Sequence, residues 1–304
     1  MFSQVYFEIS SLCNAKCYWC QTGQSNLNKS ANGNFVSIEK FKKSIEYMLD
    51  NKFIQNGALI SLYNWGEPLL HPKLKEIIKY LTDKDLKIII STNASKLITF
   101  EGIDELRNLE SITYSMCGFS QNSYDKIHGF DFEKIKSNIV KMTKNFKNAG
   151  FKGTFLIAYH IYQFNVDELI EMIEFAREND IQPMPSYAYI NDFKRMEQYI
   201  NKEVEYEYLY KATSQLILFP IEEALKHRQE KYSCPQYLKL SIDSNCNVIT
   251  CCADSTVLNK IYHVKSEDIN EWRIKSEICK RCNSIGQSYV MHNPAIPKQI
   301  IGLK

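Results

Sequence analysis

The sequence predicts an α/β fold that ends in a small cysteine-rich domain, and two observations carry this. Strand-like and helix-like patterns alternate through the first two thirds of the 304-residue chain. Its ten cysteines are grouped rather than scattered: three at positions 13–20, one at 117 and six between 234 and 282.

The strand candidates are residues 5–9, 58–63, 86–90, 112–115 and 154–159, with a weaker one just before Pro183. Each is apolar or alternating and ends in polar or turn residues. Helical periodicity covers residues 37–51, 73–82, 132–148 and 166–179. Ser37 with Glu39 in the first turn reads as a helix start, as does Asn165 before the fourth helix. About six strand–helix units fit before residue 195. Such a series builds either an open doubly wound sheet or a curved partial barrel, and periodicity does not choose between them. In both, reactive groups collect at the C-terminal ends of strands. The expected organisation is a core over 1–195, a helical connector over 196–231 with a break near Pro220, and a cysteine-rich domain over 232–304.

Composition excludes several classes. Lys and Arg number 37 against 35 Asp and Glu, a net charge of +2, which gives no footprint for nucleic acid or an anionic membrane. No run reaches the roughly 18 apolar residues of a spanning helix. The N-terminus lacks the basic and apolar regions of a signal peptide, so a cytoplasmic location is expected. In a reducing compartment clustered cysteines bind metal or do redox chemistry more often than they form disulfides.

Cys13, Cys17 and Cys20 follow the first strand directly. Thiolates this close in sequence converge on one soft metal centre. A structural zinc ion would need a fourth ligand, and no Cys, His, Asp or Glu occurs in the twelve residues after Cys20. Three thiolates on a 4Fe-4S cluster leave one iron open to another molecule.

This C-x3-C-x2-C arrangement, with Trp19 before the third cysteine, resembles the signature of the radical SAM superfamily. The resemblance continues over roughly residues 5–190. Gly66, Glu67 and Pro68 match that family's GGEP motif, which contacts the methionine amino group, although Trp65 replaces the first glycine. Ser91 and Asn93, Ser115 and Asn165 stand where the family places strand-end polar residues around S-adenosylmethionine (SAM). The resemblance implies a partial (β/α)6 TIM-like barrel. It also implies SAM chelated to the open iron, reductive cleavage to a 5′-deoxyadenosyl radical, hydrogen abstraction from a substrate, and a flavodoxin- or ferredoxin-type electron donor.

The later cysteines include a C-x2-C pair, Cys279 and Cys282, with further cysteines upstream. By spacing alone this is a zinc ribbon or an iron–sulfur site. Beside the radical SAM signature it resembles the twitch form of the SPASM domain, which holds one auxiliary 4Fe-4S cluster. The resemblance assigns Cys234, Cys251, Cys279 and Cys282 as ligands. Cys251 is preferred to Cys252 because it ends the V-x-x-C element begun by Val248, and Cys246 takes the place of a turn glycine.

Two further residues are candidates for catalysis. Cys117, after the fourth strand, reads as a buried inert thiol or, more sharply, as a hydrogen-atom donor. His160, near the end of the fifth, reads as a pocket acid or base. Twitch-type relatives act on sugars and cyclitols or on ribosomal peptides. The absence of a peptide-recognition segment before residue 5 points to a carbohydrate-like small molecule that is oxidised or epimerised, with peptide maturation as the alternative. An iron–sulfur or zinc regulatory module would explain the cysteines without explaining the ordered strand-end residues.

Overall fold

The computed structural model describes residues 1–17, 20–30, 32–188, 193–201 and 234–291. Six parallel strands follow one another in space as they do in sequence: β1 (Gln4–Phe7), β2 (Leu59–Ser61), β3 (Lys87–Thr92), β4 (Leu109–Met116), β5 (Thr154–Ile161) and β6 (Gln182–Tyr187). A doubly wound sheet reverses its strand order part-way. This one does not, so every unit adds on the same side and the result is the partial barrel.

The register separates two faces. Val5, Ile60 and Ile88 are partners along one row, and all are fully buried. Short helices α1 (Gln21–Leu27) and α4 (Gln121–Lys126) follow β1 and β4, and this face packs on α2 (Ile38–Asp50), α3 (Leu74–Asp83) and α5 (Phe132–Asn148) through residues such as Phe41, Ile77 and Ile139. The Phe7 and Phe41 rings meet edge-on at 4.8 Å. The other face carries Tyr6, Glu8, Ser61, Tyr63, Ser91 and Ser115, an interior too polar to be a closed core. Gln4 donates to Ser61 Oγ there at 2.8 Å, and the Tyr6 and Tyr63 rings stack edge-on at 5.7 Å.

Local chemistry explains the element ends. Ser37 caps α2 by accepting from Lys40 N, a contact worth about 1 kcal/mol. Asp131 does the same for α5 through Lys134 N. Asn165 is not the expected cap: its side chain makes no capping bond, and a short turn, Val166–Glu168, precedes helix α6 (Leu169–Glu178). The sixth strand does not precede Pro183 but contains it, together with Pro185. Proline lacks the ladder donor and is tolerated because β6 is the last strand of the sheet.

The cysteine-rich region does not build a sheet of its own. β7 (Lys239–Ile242) pairs parallel with β1, and β8 (Asn247–Cys251) and β9 (Asp254–Lys260) extend the same nine-stranded sheet as antiparallel neighbours. β9 is too polar to be read from its sequence. Cys246 occupies a turn position with φ +62°, as its match to a turn glycine implies. Of the connector, residues up to 201 complete helix α7 (Phe193–Asn201). The rest, with the expected break near Pro220, lies outside the described residues.

Candidate active site and metal centres

The loop after β1 is held by two buried carboxylates. Glu8 is 4% exposed, and its Oε1 accepts from Trp65 N at 3.0 Å and Gly66 N at 3.1 Å. Glu67 N donates to Leu12 O at 2.8 Å. These contacts lay the Trp65-Gly66-Glu67 turn directly on the cysteine loop. Gly66 is required by this approach, because a Cβ there would stand 1.7 Å from Ser10 O.

Glu67 then reaches the third strand. Its carboxylate accepts from Thr92 Oγ1 at 2.7 Å, Leu69 N at 2.9 Å and Asn93 N at 2.8 Å. Asn93 in turn donates to Asn14 Oδ1 at 3.1 Å and towards Cys13 Sγ at 3.7 Å. One chain of bonds therefore links β1, β2, β3 and the first cysteine. Burial pushes Glu8 and Glu67 up to about 7 despite their donors. Sequence reading missed Glu8, whose signal was a charged residue inside the apolar run Val5 to Ile9.

Cys13, Cys17 and Cys20 line one cavity with Gly66, Glu67 and Trp65. Ser91, Asn93 and Ser115 close it from the third and fourth strands. Two buried polar atoms of its wall, Asn64 Nδ2 and His128 Nδ1, have no partner among the described residues. Burial lowers His128 to about 3, so the ring is neutral at pH 7. Trp65 also lines a second, larger cavity on the other side of the cysteine loop, so it borders both. Pro68 is buried at the start of a short turn of helix and does not line the cavity. Trp19 lies outside the described residues.

The three thiols are expensive to ionise as they stand. Burial pushes Cys13 up to about 12 and raises Cys17 and Cys20, and Cys17 is raised further by Cys20 and Cys13. Coordinated metal inverts this, since a ligating thiol is deprotonated outright. Three converging thiols, a neighbouring wall of strand-end donors and two orphaned polar atoms fit a cluster with an open position and a polar co-ligand. Among the described residues no group of three or more His, Cys, Asp or Glu is arranged to hold a single metal ion.

The second cysteine group also converges. Cys234, Cys251, Cys279 and Cys282 line one cavity, which Cys252 does not join. Cys252 accepts from Gln236 Nε2 at 3.5 Å and, though outside that cavity, lies between the two sides, adding electrostatically to the burial that raises Tyr6 and Tyr63 on one and Cys251 and Cys282 on the other. Arg273, 1% exposed, lines the four-thiol cavity as well.

The remaining candidates sit elsewhere. Cys117 is fully buried, its thiol directed at Ser123 O at 3.9 Å. Asn165 is consumed structurally: Nδ2 donates to Cys117 O at 2.9 Å and His160 O at 3.0 Å, and Oδ1 accepts from Tyr162 N at 2.7 Å. His160 shares the interior strand face with Ser115, and burial lowers its pKa. None of the three lines the cysteine cavity. A second missed residue is Glu168, which accepts from Phe119 N at 2.5 Å, Ser120 Oγ and Ser123 Oγ, and so pins the loop after β4.

Residues 7–176 match the model of the radical SAM superfamily. The chain belongs to the radical SAM superfamily. Among curated proteins it is 28% identical over 190 residues to the antilisterial bacteriocin subtilosin biosynthesis protein AlbA of Bacillus subtilis, covering 62% of this chain and 40% of that one. It is 25% identical over 178 residues to the AdoMet-dependent heme synthase of Methanosarcina barkeri, covering 57% and 47%. The chain thus spans less than half the length of either relative. The structure of Streptococcus suis SuiB bound to precursor peptide SuiA has the same fold, with TM-score 0.59 and 14% identity over 100% of this chain and 76% of that one. No described helix of this radical SAM protein is long and apolar enough to cross a membrane.

Proposed function

We propose that this radical SAM enzyme holds two 4Fe-4S clusters and uses them to oxidise a peptide substrate, with a one-electron donor of flavodoxin or ferredoxin type. The carrying observation is that four cysteines far apart in sequence, Cys234, Cys251, Cys279 and Cys282, line one cavity, while Cys13, Cys17 and Cys20 line another beyond β1. Cys13, Cys17 and Cys20 would hold the open cluster, and Gly66, Glu67, Ser91, Asn93 and Ser115 would border SAM. When bound, this pair supplies one-electron chemistry able to remove hydrogen from an unactivated C–H bond.

The protein's own contribution is positioning and exclusion of water. Glu8 and Glu67 fix the Trp65–Glu67 turn against the cysteine loop, and neither carboxylate is free to take a substrate proton without breaking that brace. His128, neutral at pH 7 and short of a partner at Nδ1, is the wall group best suited to hold a hydrogen bond to a bound polar group.

A peptide is preferred over the carbohydrate-like substrate first expected, because the similarity to AlbA, a bacteriocin biosynthesis protein by its name, covers 190 residues, 62% of this chain. A small polar metabolite is the second reading. It is favoured by the cavity of about 300 Å3 beside the cysteine loop, lined by Asn26, Asn34, Asp243 and Asn245 and within the usual size range of small-molecule sites. The test is anaerobic reconstitution with SAM and a reductant. Production of 5′-deoxyadenosine and iron sufficient for two clusters is expected; iron without SAM cleavage would leave a binding module. Deuterium transfer from labelled candidate peptides and sugars into 5′-deoxyadenosine then separates the substrate classes.

A further inference from the structure

Arg273 is an unusual residue to find in the four-thiol cavity. It sits on the helix Ser266–Lys275 and is 1% exposed. Nε donates to Thr250 O at 3.1 Å. Nη1 donates to Gln236 O at 2.7 Å, Lys239 O at 2.9 Å and Asn270 Oδ1 at 3.2 Å. Nη2 is buried and has no partner among the described residues. No described carboxylate forms a salt bridge with the guanidinium. Asp254, which lines the same cavity, spends its carboxylate on Thr256 N and Oγ1, each at 3.2 Å.

A guanidinium stays charged in proteins, and a buried charge without a counterion costs several kcal/mol. Here two of its three nitrogens, Nε and Nη1, are tied to neutral oxygens, which fixes its orientation but leaves its charge unbalanced. The cavity that Arg273 lines is also walled by the thiols of Cys234, Cys251, Cys279 and Cys282, and the one carboxylate there, Asp254, is already engaged. The missing partner is therefore anionic, sulfur-rich and located in this cavity.

We infer that Arg273 is a positioning and tuning residue for the auxiliary cluster, its Nη2 donating a hydrogen bond to a cluster or cysteine sulfur and its charge favouring the reduced state. This rests on the reading of Cys234, Cys251, Cys279 and Cys282 as ligands of that cluster. A fixed cation beside a cluster stabilises the added electron, so its removal lowers the potential.

The experiment uses the full chain with Cys13, Cys17 and Cys20 replaced by Ala, so that only the auxiliary site can hold iron. With Arg273 intact this protein should bind one cluster; absence of iron would overturn the ligand reading itself. An Arg273→Met change in that background should keep the iron and reduce the reduced-to-oxidised ratio at fixed potential at least about tenfold, a shift of 59 mV for a one-electron couple. Arg273→Lys, which keeps the charge, should fall between the two. Equal midpoints for Arg, Lys and Met with iron retained would overturn the tuning role and leave Arg273 a structural tie. Should the Met variant not fold, proton hyperfine spectra of the reduced Arg273 protein decide. An exchangeable proton strongly coupled to the cluster is expected, and its absence would overturn the proposal.

Discussion

The two thiol-lined cavities differ in what surrounds the sulfurs. At Cys13, Cys17 and Cys20 the wall carries strand-end polar groups such as Ser91, Asn93 and Ser115, with orphaned atoms on Asn64 and His128, and no Lys or Arg lines it among the described residues. At Cys234, Cys251, Cys279 and Cys282 the wall includes Phe193, Tyr237 and Ile278, with a single buried guanidinium. Three ligands among donors suit a centre that must accept a second molecule. Four ligands in an apolar wall suit a closed centre that stores or passes an electron. On the proposed ligand assignment the two cavities would have separate tasks, one beyond the interior strand β1 and the other beside β8, towards the β9 edge of the same sheet.

The sharpest way to break this comparison is to remove one thiol from each side. Cys17→Ala should abolish 5′-deoxyadenosine formation and remove about half the iron. Cys251→Ala should remove the other half yet leave SAM cleavage measurable, and Cys252→Ala should leave iron unchanged. Undiminished iron in Cys251→Ala would sink the assignment of that ligand. Loss of all SAM cleavage in Cys251→Ala, with the protein still folded, would show that the two centres do not have separate tasks.

The next largest effect belongs to the brace of the open site. Gly66→Ala drives a Cβ into Ser10 O, a backbone atom that cannot swing away. The turn must move, at a cost of roughly 3 kcal/mol. A displacement of about 1 Å at the cofactor wall should lower the rate of SAM cleavage on the order of a hundredfold. Auxiliary-cluster spectra should not change, which sharpens the comparison; a coincident loss of both clusters would show that the two sites are not independent.

Glu8 supplies a smaller, pH-dependent effect. Its pKa rises from 4.5 unfolded to about 7 folded, with burial the largest cause. A raised folded value means that stability is fully present below pH 4.5 and is lost as pH rises through about 7. The loss is on the order of 3 kcal/mol, from about 1.4 kcal/mol per unit. Urea denaturation of the apoprotein should therefore show the wild type weakening from pH 4.5 to 8 relative to Glu8→Gln. Parallel pH curves would mean that the amides of Trp65 and Gly66 keep Glu8 ionised throughout, and the brace would be stronger than its burial suggests.

Much of this was legible before the structure. Strand–helix alternation located the first five barrel strands, because β-branched runs such as residues 86–90 stand out, but it placed the sixth too early, since Pro183 and Pro185 read as strand breakers. Monotone strand order was not legible, since periodicity does not encode which side each unit adds to. The cysteine groups were legible because ligand spacing is local. Arg273 was not, because its meaning depends on Thr250, Gln236 and Lys239 arriving from distant segments. Glu8 was missed because alternation treats a strand-end carboxylate as solvated. Asn165 was noticed for its position, but its bonds to Cys117 and His160 are made across the loop ends of β4 and β5 and not along one helix.

Cys117 gives the smallest expected effect and the most direct test of its own two readings. Its thiol is fully buried, near Ser123 O, and lines neither thiol cavity. Burial, with the Glu168 carboxylate nearby, holds it protonated, which is the state of a small hydrophobic filler. A hydrogen-atom donor must instead approach the substrate radical. Cys117→Ala should lower stability by about 1 kcal/mol, the cost of a small buried deletion, with SAM cleavage and product yield both retained. Loss of product with SAM cleavage intact would restore the donor role. It would also require the loop after β4, pinned by Glu168 at Phe119 and Ser123, to open during turnover.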